Sequence, residues 1–101
     1  MDSGLGKLAV PALIDALKTG NEHTRRAATQ SLMLIGPDAA EAVPALIEAL
    51  KDRHSWALSA LVEIGEAAIP ALQEAQKNGD DTVRRDTGKI LGLILPRGQS
   101  R

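Results

Sequence analysis

The ten residues AVPALIDALK at 9–18 return as AVPALIEALK at 42–51 and as AIPALQEAQK at 68–77. A chain that writes one segment three times is committed to stacking copies of one supersecondary unit, each covering the apolar face of the next. A second segment follows the first and last copies, TRRAATQSLMLIGP at 24–37 and VRRDTGKILGLILP at 83–96. In both places the first arginine follows the proline at the same interval, Pro11 to Arg25 and Pro70 to Arg84. The repeating unit is therefore a pair of segments.

Each segment carries the apolar period of a helix: Val10, Leu13, Ile14 and Leu17 in the first, Val43, Leu46, Ile47 and Leu50 in its next copy, and Ala28, Leu32 and Ile35 in the paired segment. The pattern predicts six helices in three pairs, near 5–18, 22–35, 39–51, 54–64, 66–77 and 80–95. With one Trp and neither Phe nor Tyr, the core has to be aliphatic and rich in alanine, which favours close-packed helices over sheet. Gly20 and Gly79 fall between the members of a pair, and Gly36 and Gly65 sit where the residue past a helix end needs positive φ. At the eighth position after each proline stand Thr19, Asp52 and Asn78, all able to accept a backbone hydrogen bond at a turn or helix start.

The repeated proline needs its own account, because inside a helix it costs about 3 kcal/mol. Pro70 comes soon after Gly65, so in a helix beginning near Ala67 it occupies the first turn, where no N–H is in use. Pro44 stands three positions further from its own glycine, Gly36. A helix starting at Ala39 must bend at Pro44 or be built as a short piece joined to a longer one.

Paired helices, a proline in the first, Asp or Asn at the turn and Arg early in the second resemble HEAT repeats. The A-V-P-A-L-I-x-A-L-K wording is similar in particular to the phycobilisome-lyase type of HEAT-like repeat. The resemblance covers residues 5–96 and implies an all-α fold, a right-handed α-α superhelix of three pairs forming one domain. Its repeats lie at about 5–36, 37–65 and 66–96, with 97–101 as a flexible tail. It implies a protein-binding scaffold or adaptor, excised from or part of a longer array, whose second helices line the binding face. A different class served by such repeats is the phycobilin-lyase-like or chromophore-handling subunit. The lack of cysteine and the shortage of aromatic residues to hold a tetrapyrrole stand against that.

The middle repeat departs from the others. The step from Pro44 to Pro70 is seven positions shorter than the step from Pro11 to Pro44. Four of the missing seven fall between Leu50 and Gly65. Removing four residues turns a helix through about 400°, so the apolar face stays about 40° from phase while the helix shortens by about 6 Å. Leu58, Leu61, Val62 and Ile64 still face the core, and the arginine pair has no counterpart. Trp56 aligns with Ala27 and Asp86 counted from the helix end, or with His23 and Thr82 counted from the turn. Either register places it at the start of a short helix, as packing that fills the resulting notch or as an anchor for a partner.

Arg25 and Arg26, with Arg84 and Arg85, form two basic pairs on second helices. They meet acidic or phosphate groups of a partner, or they form a ladder onto turn acids such as Asp52. His54 and Trp56 complete the candidate partner-binding set. His54 with Asp52 and Arg53 reads as a polar turn and helix cap more than as acid–base chemistry, and His23 beside Glu22 lacks the ligand spacing of a metal site. No catalytic, cofactor or metal residue is expected.

Gly88 and Gly92 mark close helix contact on the last helix, whose Ile90, Leu91, Leu93, Ile94 and Leu95 make an apolar band wider than one buried face. That helix is expected to continue into further repeats or to dock on a partner or a second copy. Twelve basic and 13 acidic residues spread without a block of either sign disfavour a general nucleic-acid or membrane binder, leaving weak nucleic-acid contact to the arginine pairs. No apolar run reaches the roughly 20 residues of a membrane span, and the start lacks a signal-peptide pattern. The expectation is a soluble cytoplasmic protein.

Overall fold

The computed structural model describes residues 3–52 and 55–94. Among these the chain is all-α, with α1 Ser3–Thr19, α2 Glu22–Ile35, α3 Val43–Lys51, α4 Ser55–Ile64, α5 Ile69–Asn78 and α6 Asp81–Ile94. All six expected helices are present, with ends displaced by at most a few residues.

Glycine and proline set the joints. Gly36 and Gly65 have φ of 72° and 79°, a left-handed backbone that costs a side-chain-bearing residue about 1–2 kcal/mol. Each glycine opens a 3-10 turn, Gly36–Ala42 and Gly65–Ala68, which runs into the following α-helix. Pro44 and Pro70 then lie at the first positions of α3 and α5, where no intrahelical N–H is lost. The segment before Pro44 is thus a short piece joined to a longer one, with Ala39 off helical geometry at φ −92°, ψ 19°. Pro11 differs, because α1 runs through it without a break. No positive-φ glycine interrupts the described chain ahead of it, and Gly4 and Gly6 lie inside α1.

The caps also fall elsewhere than expected. Asn21 Oδ1 accepts from the Thr24 N–H at 2.9 Å, and Asp80 Oδ1 accepts from the Val83 N–H at 3.0 Å. Both capping residues stand at the tenth position after their proline, where the sequence suggests the eighth. The first helices run on through the eighth position, so Thr19 and Asn78 donate backwards instead, to the Asp15 carbonyl at 2.9 Å and to Glu74 Oε2 at 3.4 Å. Asp52 ends α3 through its main-chain N–H, shared between the carbonyls of Ala49 and Leu50.

Helices α1, α3 and α5 form one layer and α2, α4 and α6 the other, with each hairpin packed on its neighbours in both layers. The result is a slab of 37 × 32 × 17 Å. Between the layers Val10, Leu32, Leu46, Leu50, Leu61, Ile64, Leu72, Val83 and Ile90 are sealed from solvent. Ala39, Ala42, Ala57, Ala60 and Ala68 are fully buried, and their small side chains let backbones approach where aromatic residues are absent. Two polar side chains share this core. Thr29 and Thr87 are completely buried, and their hydroxyls donate to carbonyls of their own helix, Arg25 at 2.9 Å and Arg84 at 3.1 Å.

Candidate protein-binding face

The second helices all begin at the same interval after a proline: Glu22 after Pro11, Ser55 after Pro44 and Asp81 after Pro70. Their lengths are 14, 10 and 14 residues. The start of the second helix is therefore constant relative to the proline along the stack, and the missing residues come out of α4 itself. That fixes the register of Trp56, which as the second residue of α4 matches His23 and Thr82.

Trp56 is half-buried and packs against the core. Ala57, Ala60, Leu61 and Ile64 are buried beyond it, and Leu58 and Val62 half-buried, so the shortened helix keeps its inward face. Part of the residue is thus covered by the core and part remains at the surface. His54 and Arg53 lie outside the described residues.

The arginines are placed unequally. On α2, Arg25 is half-buried, with an Nε that is shielded from solvent and makes no hydrogen bond, while Arg26 is exposed. On α6, Arg85 is exposed, and Arg84, also exposed, donates to Asp81 Oδ1 at 3.1 Å. This pair spans one turn of the same helix and is open to water, so it contributes about 1 kcal/mol at most. The expected ladder onto Asp52 does not form among the described residues, because Arg84 finds its acid locally. At the two matching positions α4 carries Leu58 and Ser59, so the basic pairs flank an uncharged strip.

Side chains four apart on a helix share a face, and that rule organises the exposed surface. It runs Arg26, Gln30, Leu34 on α2, then Ser59, Glu63 on α4, then Arg85, Lys89, Leu93 on α6, all exposed. On α2 and α6 this strip runs from arginine near the helix start to leucine near its end, while on α4 it is polar throughout. Leu34 is 89% exposed and Leu93 62%. A shallow groove between α2 and α4 is lined by Gln30, Met33, Leu34 and Glu63. The run LMLI at 32–35 hides this, since Leu32 at 0% exposure and Leu34 look alike by composition. The signal that separates them is helical phase, which sets residues two apart about 200° from each other.

The remaining candidates separate. His23 is exposed, and no group of three metal-ligating side chains occurs among the described residues. A Cβ on Gly88 would lie 3.0 Å from Gln76 Nε2 of α5, a close helix contact, whereas Gly92 faces open space. Of the apolar band on α6, Ile90 is buried, Leu91 and Ile94 are half-buried, and Leu93 is open; Leu95 lies outside the described residues. No helix among the described residues is long and apolar enough to cross a membrane.

Three helical hairpins stacked in two layers, with an exposed polar face on the second-helix layer, define a helical-repeat protein of the α-solenoid class. Residues 5–57 match the family model for HEAT repeats, and residues 55–78 match that for the PBS lyase HEAT-like repeat. The chain belongs to the HEAT-repeat family, whose members generally act as protein-interaction scaffolds and are typically non-catalytic. No curated protein and no solved structure matches the chain.

Proposed function

We propose that residues 5–96 form one non-enzymatic adaptor module that binds a partner protein across the second-helix layer. Arg26 and Arg85, supported by Arg25 and Arg84, meet acidic side chains of the partner. Trp56 and, from its place in the sequence, His54 contact it at the middle of the stack. One observation carries this reading. Arg26 and Arg85 point to solvent from α2 and α6 without an ion pair among the described residues, on either side of a half-exposed Trp. Free guanidinium groups and an indole are the side chains that most often anchor protein interfaces. The absence of cysteine suits a reducing, cytoplasmic setting.

Crosslinking with mass spectrometry in the native cell identifies the partner, and the double variant Arg26→Glu, Arg85→Glu then tests the face. Loss of binding with an unchanged circular dichroism spectrum supports the assignment, as does a change in Trp56 fluorescence on binding. Retention of full affinity by the variant overturns it. Capture of nucleic acid instead of protein, with affinity falling steeply as salt rises, also overturns it.

A further inference from the structure

Two grooves cross the layer of first helices, and they are copies of one another. Pro11, Ile14 and Lys18 of α1 line the first against Ala45 and Glu48 of α3. Pro44, Ile47 and Lys51 of α3 line the second against Ala71 and Glu74 of α5. In both, the earlier helix supplies its proline and the residues three and seven positions later, and the following helix supplies the residues one and four positions after its own proline. Each lysine therefore shares a groove with a carboxylate of the next helix.

The rule leaves two loose ends. On α5, Pro70, Gln73 and Lys77 line a half-groove that no described helix closes. On α1, Ala12 and Asp15 occupy the closing positions, exposed, with no described helix before them. Lys77, which shares the half-groove with Glu74, makes no ion pair among the described residues, whereas Lys51 reaches Glu48 at 3.3 Å. The two ends are thus complementary in charge and in repeat position.

We propose that a second copy of this chain closes the half-groove, with α1 of one molecule docked on α5 of another, head to tail, setting Asp15 beside Lys77 and Ala12 against Gln73. The same step covers exposed leucine in the second-helix layer. Leu34 shares its groove with Glu63, the residue two before Gly65 as Leu34 is two before Gly36. Leu93 stands as far after Pro70 as Leu34 does after Pro11, so stacking brings it to Leu34 of the next copy. Gln73 replaces the Ile14 and Ile47 of the closed grooves, and Gln76 replaces Leu17 and Leu50. That wetter lining makes the contact weak and reversible. A head-to-tail contact of this kind leaves a free docking end on each molecule, so copies add in series at high concentration.

The chain has no cysteine, so single introduced thiols report unambiguously. Asp15→Cys and Lys77→Cys are prepared separately and treated with a short bismaleimide, alone and mixed. Head-to-tail docking gives a crosslinked dimer in the mixture and little in either sample alone. Equal crosslinking within either variant alone, or none in the mixture, overturns the proposal. Sedimentation of the unmodified chain supplies a second reading. Lys77→Glu weakens its association by roughly fivefold and adding Asp15→Lys restores it, whereas a strictly monomeric profile at millimolar concentration overturns the proposal.

Discussion

The side-chain amide of Gln76 in α5 donates to the main-chain carbonyl of Arg84 in α6 at 3.5 Å, the same carbonyl that takes the Thr87 hydroxyl at 3.1 Å. The two helices come this close over Gly88, where an added methyl would lie 3.0 Å from the Gln76 nitrogen. A glycine inside a helix costs about 1 kcal/mol relative to alanine. Gly92→Ala, into open space, is therefore expected to stabilise the fold by about 0.5–1 kcal/mol. Gly88→Ala gains less, since Gln76 must shift. Urea unfolding of both variants decides this, and an equal gain would show that the Gln76 contact does not constrain the helix pair.

Gly20 and Gly79 face a different obstacle. A Cβ at Gly79 would stand 2.6 Å from Val83 Cγ1 and 2.7 Å from the Ala75 carbonyl, and one at Gly20 2.7 Å from Thr24 Cγ2 and 2.6 Å from the Ala16 carbonyl. The obstruction is steric and arises because the next helix begins immediately after the turn. Alanine at either position is expected to cost about 1–3 kcal/mol in denaturation experiments. Gly65→Ala meets no atom within 4 Å, so its loss comes from φ alone and should stay near about 1–2 kcal/mol.

The caps give a sharper comparison within each repeat. Asn21→Ala and Asp80→Ala remove acceptors for the Thr24 and Val83 N–H groups, and each is expected to cost about 1 kcal/mol. Thr19→Ala and Asn78→Ala, two residues earlier, should change stability by less than about 0.5 kcal/mol. Equal losses at both pairs in thermal melts would contradict the cap assignment.

Those caps also mark where sequence reasoning stops. Proline and glycine can be placed from the chain alone because their backbone constraints travel with the residue: Gly36, Gly65, Pro44 and Pro70 all stand where those constraints put them. Thr19, Asp52 and Asn78 are competent cap residues in isolation, and which polar residue caps depends on where the preceding helix ends. Leu34 and Leu32 have the same chemistry, and composition does not separate them; helical phase, which sets them on opposite sides of α2, does. For the binding face, the arginine pairs are visible in the sequence as charge. The half-burial of Arg25 and Trp56 depends on their contacts with neighbouring helices.

Thr29 and Thr87 test how tightly the layers are packed. Their hydroxyls bond carbonyls within the same helix, so removing them strands no partner from another element. Thr29→Val and Thr87→Val are expected to be neutral or to stabilise by up to about 1 kcal/mol. Leu61→Ala, at 0% exposure between the layers, should cost about 2–5 kcal/mol. Chemical denaturation with an unchanged m-value would confirm both; a large loss for the valine variants would mean that the hydroxyls hold neighbouring helices in place.

Every hairpin of this stack rests on its neighbours, and α3 with α4 is the pair flanked on both sides. In terms of folding, the energy is distributed by nearest neighbours, so the molecule unzips from its edges and the slowest amide hydrogen exchange belongs to the middle rung. The rung that gave up a helical turn is thus the one whose opening requires the whole structure to come apart.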